Sequence, residues 1–397
     1  MALRGRGFRL LAGLFFAALA LRPQVVGVGP LLPAIRSDLG LSHAVAGLLG
    51  TIPVLCMGLF ALPAARLARR VGSRVAVALS VAGIGVFGVV RAGVPGPVAV
   101  VVLTLPVAIG MGLGNALMPA AVKERFASRP GFATGVYATG INLGSAVSAA
   151  LAVPVAHAFG GWRAALLAFS VATVLLAGIW SWTEGGGPDG GRAVAPARAL
   201  PWRSPLAWRL ALVFALNATT FYGMNAWLPA TYVERGWSQS SAGALVGLLN
   251  AVSVPAGLVV AAVADRVQRR TYLVAGSVVY AGSIVGVELL PGHGWGWLWA
   301  SLFGFGAGTL FPLVMTLPLD VADDAPAVAA FTGVMLGAGY SISAVSPFAL
   351  GAVRDATGSF SDALWLLVAT GTALLVACAT LSRERLDARA DASTMAA

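Results

Sequence analysis

One arginine lies in the middle of an apolar stretch that is long enough to cross a bilayer. Arg22 falls within residues 10–33, and Pro23 follows it directly. A cation at the centre of a membrane helix costs about 2.5–3.5 kcal/mol on insertion scales, so such residues usually face a cavity or a partner. A guanidinium presents several N–H donors in one plane, which suits a small anion or a nitro group. Arg22 is therefore the leading candidate for substrate contact; the competing interpretation is that carbonyl groups freed at Pro23 satisfy it.

Other polar side chains inside apolar stretches could complete a pocket around this arginine. Tyr222 and Tyr340 lie near the centres of their stretches, and Asn115 follows a run of glycines. Amides and hydroxyls inside a bundle equally serve as hydrogen bonds between helices, worth about 0.6 kcal/mol on average, so both interpretations stay open. The candidate substrate-binding residues are Arg22, Asn115, Tyr137, Asn142, Asn217, Tyr222, Asn250 and Tyr340.

The composition is that of an integral membrane protein. Of the 397 residues, 58% are hydrophobic and 10% are charged, against about 25% charged residues in soluble domains. The mean hydropathy is +0.86. Cys56 and Cys378 both fall in apolar stretches, so they indicate neither a disulfide framework nor a metal site. No acid/base pair reaches the centre of a stretch, so we expect no enzyme activity, no cofactor and no metal.

Twelve segments are long and apolar enough to span a bilayer, because spanning takes about 20 apolar residues. They cover approximately residues 9–32, 44–65, 74–93, 98–120, 131–157, 163–182, 207–229, 241–263, 271–290, 295–318, 327–351 and 361–381. Residues 184–204 are rich in Gly, Pro and Ala, which favours a flexible linker. The sequence therefore predicts an all-α membrane protein with two pseudo-symmetric six-helix halves, residues 1–183 and 205–397.

The N-terminus allows a second interpretation. Three arginines precede an apolar run that contains Ala18-Leu-Ala20, so the segment resembles a cleavable signal peptide. However, the apolar run continues beyond Ala20, and an even number of spans requires it. We therefore interpret the segment as the first transmembrane helix.

The Lys and Arg residues outside the apolar stretches predict the orientation. With the N-terminus in the cytoplasm, 20 of them lie on the cytoplasmic side and 5 on the opposite side. The five are Arg36, Arg91, Arg163, Arg235 and Arg354. Because cytoplasmic loops carry the positive excess, we expect a multi-pass protein of the cytoplasmic membrane with both termini in the cytoplasm. The same excess explains the net charge of +11 without nucleic acid, which is not expected as a partner.

The two halves repeat each other in sequence. At a constant offset of 196, residues 29–47 match residues 225–243, and Arg74 matches Arg270. At the same offset the counterpart of Arg22 is Ala218, so the central charge belongs to one half only. Two parallel six-helix repeats are the architecture of major facilitator superfamily transporters, whose substrate site lies between the halves near the midplane.

Several motifs along nearly the whole chain carry a narrower resemblance. They are Leu21-Arg-Pro23, Gly27-Val-Gly-Pro-Leu-Leu-Pro-Ala-Ile-Arg36, Asp38-Leu-Gly-Leu-Ser42, Leu67-Ala-Arg-Arg-Val-Gly72, Gly114-Asn115, Phe221-Tyr-Gly223, Ala226-Trp-Leu-Pro229, Gly304-Phe-Gly-Ala-Gly308, Phe311-Pro-Leu313 and Asp355-Ala-Thr-Gly-Ser359. These residues resemble the bacterial cyanate and 2-nitroimidazole transporter family of that superfamily. The resemblance implies secondary active or facilitative transport of a cyanate-like anion or a nitroimidazole-like molecule by rocker-switch alternating access.

Charged residues that follow the second and eighth spans could hold a cytoplasmic gate closed. They are Arg69, Arg70, Arg74, Asp265, Arg266 and Arg270. The alternative is that they only set the topology. The loop signature of the superfamily normally has an aspartate before its arginine. Here Arg69 occupies that place, whereas the second half keeps Asp265.

Two alternative functions remain open at this point, a drug or metabolite efflux pump of the same superfamily and a transport-dead membrane sensor. Drug/proton antiporters of the superfamily usually carry a Gly-Pro motif late in the fifth helix, where this chain has Gly140-Ile-Asn-Leu-Gly-Ser-Ala-Val-Ser148. Glu288 is the only acid inside an apolar run, and it lies near the outer end, so strong proton coupling is not indicated. We expect a monomer whose partners are a small-molecule substrate and the bilayer.

Overall fold

Helices form all the regular structure that the computed structural model describes, in residues 2–126, 130–183, 200–263, 269–322 and 325–381. The helices of the N-terminal half are α1 (Ala2–Ala20), α2 (Pro23–Val26), α3 (Val28–Leu39), α4 (His43–Leu59), α5 (Ala61–Val71), α6 (Ser73–Gly93), α7 (Pro97–Arg125), α8 (Pro130–Phe159) and α9 (Trp162–Thr183). Those of the C-terminal half are α10 (Pro205–Glu234), α11 (Gln239–Val263), α12 (Arg269–Leu289), α13 (His293–Val321), α14 (Ala325–Ser343), α15 (Val345–Thr357) and α16 (Phe360–Ala379).

Each of the twelve segments predicted from hydropathy coincides with one helix or with consecutive helices. Among the described residues, ten stretches of helix are long and apolar enough to cross a membrane, and His43–Leu59 is a shorter apolar helix. The remaining segment is α10, whose 30 residues include Asn217 and Asn225. The predicted fold class is thus confirmed. Residues 184–199 of the predicted linker lie outside the described part of the chain, so the boundaries of the halves stay a prediction.

The first predicted segment is a broken helix, and the break lies at Arg22. Helix α1 ends at Ala20, and α2 contains only four residues before Gly27 separates it from α3. Pro23 has no N–H to continue the hydrogen-bond ladder of α1, so the helix cannot pass through it undisturbed. The backbone N–H groups of Val25 and Val26 both donate to the carbonyl of Arg22, at 3.1 and 3.0 Å. The charged residue therefore occupies the non-helical junction itself.

The two halves pack closely over part of their length. Helix α4 lies against α14 and α15, α8 lies against α11, and α3 lies against α10. A Cβ atom on Gly47 would lie 2.4 Å from the carbonyl oxygen of Pro347, and one on Gly351 would lie 2.4 Å from that of His43. Only glycine permits this approach of two backbones, as is common between membrane helices. The approaches at Gly47 and Gly351 lie near His43, at the end of the bundle that we call the His43 end.

Candidate functional site

Arg22 lies between the halves with 9% of its surface exposed. Its Nη1 donates to the hydroxyl of Tyr222 at 3.4 Å and lies 3.9 Å from the Sδ of Met57. The Tyr222 hydroxyl lies 3.6 Å from the same sulfur. The buried Nε of Arg22 has no hydrogen-bond partner. Among the described residues no carboxylate pairs with this guanidinium and no backbone carbonyl accepts a hydrogen bond from it, so the interpretation that carbonyls freed at Pro23 satisfy it gains no support.

Three tyrosines lie near enough to this guanidinium to interact with it electrostatically. Tyr222 and Tyr340 come from the C-terminal half and Tyr137 comes from the N-terminal half, and each is an electrostatic neighbour of Arg22. The rings of Tyr222 and Tyr340 have their centroids 6.4 Å apart. Asn115 of α7 interacts with the Tyr340 hydroxyl, and the side chains of Asn115 and Tyr137 are half-buried. The structure thus brings five of the eight candidate substrate-binding residues into one cluster.

The other three candidates have different surroundings. The Nδ2 of Asn250 donates to the Oδ1 of Asn225 at 2.9 Å, so it joins α11 to α10. Asn217 is buried with its Oδ1 unpartnered, and its backbone carbonyl accepts from the Tyr280 hydroxyl at 3.4 Å. Asn142 is half-buried in α8, five residues beyond Tyr137. For Asn250 the bonds favour the role of a link between helices.

Two of the candidate gate residues make equivalent contacts inside their own halves. The Nη2 of Arg74 donates to the carbonyl of Ser181 at 3.0 Å, at the end of α9. The Nε of Arg270 donates to the carbonyl of Ala379 at 3.1 Å, at the end of α16. Because both bonds stay within one half, they stabilise each bundle and do not cross the gap between the halves.

Of the other gate candidates, Arg69 and Arg70 are the ones that the structure describes, and neither makes a bond between the halves. Arg69 and Arg70 are exposed in the last turn of α5. Asp265 and Arg266 lie outside the described residues. The cytoplasmic gate therefore stays a prediction.

At the opposite end of the bundle, a polar contact that the sequence analysis missed joins the two halves. The Nδ1 of His43 lies 2.6 Å from the Oδ1 of Asp355. The backbone N–H groups of His43 and Ala44 donate to the same carboxylate at 3.0 and 2.8 Å. Asp355 of α15 thus caps the N-terminus of α4, where a negative charge is favourable. The only sequence signal was a histidine that begins one predicted span and an aspartate in a loop motif.

Arg91 requires a correction to the loop assignment made from the sequence. We counted it with the charges of the opposite side, but it lies inside α6 and is only 1% exposed. Its Nη2 donates to the Oε1 of Gln24 at 2.6 Å. The sequence did indicate a position inside a helix, since residue 91 falls within the third predicted span, 74–93. An arginine two residues from a helix end is compatible with either location.

The described residues of the cluster around Arg22 carry one positive charge and no carboxylate. The guanidinium only donates, whereas the tyrosine hydroxyls and the amide of Asn115 can either donate or accept. Such an arrangement can bind a small ligand that offers acceptor atoms in one plane. Among the described residues, no group of three or more His, Cys, Asp or Glu side chains is placed to hold a metal ion.

Comparisons with known proteins give a consistent picture. The model of the Major Facilitator Superfamily matches residues 10–347. The 2-nitroimidazole transporter of Escherichia coli (strain K12) is 32% identical over 363 residues, which cover 89% of this chain and 90% of that protein. The cyanate transport protein CynX of the same organism is 29% identical over 357 residues, covering 88% and 91%. A solved structure of a bacterial homolog of the human lysosomal transporter Spinster is similar in fold, with a TM-score of 0.74 at 18% identity over 98% of this chain and 95% of that one.

Proposed function

Because this chain belongs to the major facilitator superfamily, we propose that it transports a small anionic or polar nitrogenous compound that binds at Arg22. The compound is a cyanate-like anion or a nitroimidazole-like molecule, since two relatives are named for cyanate and 2-nitroimidazole. The observation that carries the proposal is the buried guanidinium of Arg22, whose hydrogen-bond partners among the described residues are the neutral Tyr222 and Met57.

The charge of the site supports an anion or a nitro compound over a cation. A buried charge without a counterion is costly, and a ligand that brings negative charge or oxygen acceptors reduces that cost. Nη1 makes both hydrogen bonds described for Arg22, so Nε and the adjacent Nη2 remain available as two parallel donors. A planar ligand with two acceptor atoms can accept from both, which is the bidentate arrangement that arginine favours.

Ligand binding at this position also links the two halves. Arg22 and Tyr137 belong to the N-terminal half, whereas Tyr222 and Tyr340 belong to the C-terminal half. A molecule held between them contacts both bundles, as alternating access by rocking of the halves requires. In our proposal the His43 end is the extracellular end, because the loop charges favour cytoplasmic termini. The packed contacts at that end then close the outer side, and the substrate binds from the cytoplasmic side in this conformation.

The proposal predicts a defined pattern of uptake by purified protein in proteoliposomes. The probes are cyanate, nitrate, short carboxylates and 2-nitroimidazole, each tested with pH gradients of both signs to determine coupling and direction. Removing a charge-assisted hydrogen bond costs about 1.5–3 kcal/mol, so Arg22→Ala should raise KM roughly 10- to 100-fold. Tyr222→Phe removes a neutral partner and should raise KM by less than about tenfold.

A matched control separates loss of the site from loss of the fold. Arg209→Ala removes an exposed arginine from the first turns of α10, and uptake should stay unchanged. If Arg22→Ala folds and transports the best probe as the wild type does, the binding site is not at Arg22. If the folded wild type takes up none of the probes, the proposed substrate class is wrong, and an efflux pump or a membrane sensor becomes the better interpretation.

A further inference from the structure

The second buried arginine makes an unusual set of bonds. Arg91 donates from Nη2 to the side-chain Oε1 of Gln24 at 2.6 Å and to the backbone carbonyl of Gln24 at 3.4 Å. Its Nη1 donates to the Oγ1 of Thr104 in α7 at 3.1 Å. Arg91 forms no ion pair with any carboxylate of the described residues. The guanidinium fork is therefore used chiefly to hold one glutamine.

Gln24 is held at its other end as well. Its Nε2 donates to the Oγ of Ser170 at 2.8 Å and to the carbonyl of Leu166 at 3.2 Å, both in α9. The side chain is completely buried. A Cβ atom on Gly88 would lie 2.5 Å from the Oγ of Ser170, so the lack of a side chain there leaves room for this contact. Gln24 thus connects α2 to α6 and α9 with both ends of its amide group in use.

The bonds to Gln24 can affect Arg22 because the two residues are close in the chain. Gln24 lies in α2, two residues after Arg22, and the helix is interrupted on both sides of α2. The ladder of α1 ends before Arg22, and Pro23 cannot donate a hydrogen bond to restore it. The direction of the Arg22 side chain therefore depends on how the four residues of α2 are held from the side.

We propose that Arg91 is a positioning residue, which fixes α2 through Gln24 and so aims the Arg22 guanidinium at the gap between the halves. The fixing of α2 rests on geometry alone, whereas its effect on transport rests on the proposed function. The planar guanidinium bonds Gln24 through Nη2 and Thr104 through Nη1 at the same time, which a lysine ammonium on a flexible stem does less well. Arg91→Lys keeps the charge but loses these simultaneous hydrogen bonds.

Hydrogen–deuterium exchange of the protein in nanodiscs tests the fixing of α2 without a substrate. In Arg91→Gln and Arg91→Lys, the amides of residues 20–28 should exchange at least tenfold faster than in the wild type. Ser170→Ala removes one bond at the far end of Gln24, is milder for the fold, and should accelerate the same segment about threefold. Arg163→Gln is the matched control. Arg163 bonds the carbonyls of Ala92 and Val94 and does not reach α2.

The pattern of exchange decides between positioning and general loosening. Acceleration confined to residues 20–28 supports the proposal. Unchanged exchange there in all Arg91 and Ser170 variants overturns it, as does an equal acceleration throughout α6, α7 and α9. If Arg91→Gln does not fold, the Arg91→Lys and Ser170→Ala variants still give one of these results.

Uptake of cyanate, with nitrate in parallel, tests whether Arg91 acts through Arg22. Arg91→Gln should raise KM about tenfold and change the maximal rate less than twofold. In an Arg22→Lys background the same substitution should change KM less than twofold, because there is no longer a guanidinium to position. If the two substitutions instead raise KM independently, so that their effects multiply, Arg91 does not act through Arg22. Absence of wild-type uptake of both ions and of 2-nitroimidazole contradicts the proposed function, and the exchange experiment then still decides the fixing of α2.

Discussion

The N-terminal half contains two deeply buried arginines, Arg22 and Arg91, whereas the described core of the C-terminal half contains tyrosines and amides and no arginine of comparable burial. The halves are otherwise built alike. Arg74 and Arg270 each hold the start of one helix to the end of the last helix in their own half. At the position of Arg22, however, the second half has Ala218 within the uninterrupted helix α10.

The contacts that occur in both halves therefore belong to the scaffold, and the charge that occurs in one half belongs to the candidate site. The repeated contacts stabilise a bundle that either half needs, so they occur twice. The charge occurs once, at a helix break that has its own support from α6 and α9. The C-terminal half provides neutral hydroxyl groups opposite that charge. In the proposed function, this asymmetry lets one half hold the charged part of a ligand while the other half moves against it.

The most severe test of this asymmetry places a charge in the second half. Ala218→Arg would bury a cation in a continuous helix, where Ala218 is only 4% exposed. Such a charge costs about 2.5–3.5 kcal/mol on insertion scales. We expect the yield of monodisperse protein, measured by size-exclusion chromatography in detergent, to fall at least tenfold.

Ala218→Met is the control for this variant, because it adds a side chain of similar length without charge. It should reduce the yield far less. Normal folding and uptake of Ala218→Arg would show that the second half also accommodates a central cation, and the one-sided charge would then lose its significance.

The glycine contact between the halves gives the next largest effect. Gly47→Ala places a Cβ atom 2.4 Å from the backbone oxygen of Pro347, so α4 and α15 must separate. Overpacking of this kind costs about 1–3 kcal/mol, which shifts the equilibrium between the closed and the open state of the His43 end roughly 5- to 150-fold. The maximal uptake rate should fall accordingly, and spin-label distances across the end should lengthen.

Gly83→Ala provides the comparison, since a Cβ atom there would meet nothing within 4 Å. It should leave both the rate and the distances unchanged. Equal behaviour of the two variants would mean that close packing at this end is not needed in the transport cycle.

The contact between His43 and Asp355 should also stabilise the closed state of the His43 end, but by less than the glycine contact does. Asp355→Asn removes the negative charge that caps α4, a loss of roughly 1 kcal/mol, so the maximal uptake rate should fall about fivefold. Deuterium uptake at residues 43–50 should rise. Glu234→Gln breaks the ion pair between Glu234 and Arg354, which lies within the C-terminal half, and should change neither quantity by more than twofold. Equal effects of both variants would contradict a specific role for the bond between the halves.

The smallest effect concerns the two equivalent arginines at the helix starts. Arg74→Gln removes the bond of Nη2 to the carbonyl of Ser181, and Arg270→Gln removes the bonds of Nε and Nη2 to the carbonyl of Ala379. Each substitution should lower the Tm in detergent by about 2–4 °C. The two shifts should be similar, because the repeat gives both residues the same task. A variant that stops uptake without lowering Tm would instead support the predicted cytoplasmic gate.

Some of the site could be predicted from residue type and depth alone. Arg22, Tyr222 and Tyr340 lie near the centres of apolar segments, where polar groups must face the interior of the bundle, and the structure brings them together. Asn250 looked equivalent, yet it bonds Asn225. Depth gives the level of a side chain in the membrane but not the direction in which it points, and direction depends on how each helix is rotated against its neighbours.

The sequence by itself determined the helical membrane fold, the two repeated halves, the family and the single central charge, because hydropathy, repeat and motif are properties of the chain read in order. Only the tertiary structure decided that Arg91 is buried on Gln24, that Asp355 caps α4 across the halves, and that Arg74 and Arg270 bond within their own bundles. The partners in the first two contacts lie 67 and 311 residues apart. No local pattern encodes such pairs, which arise only when the packed helices bring distant segments to the same level.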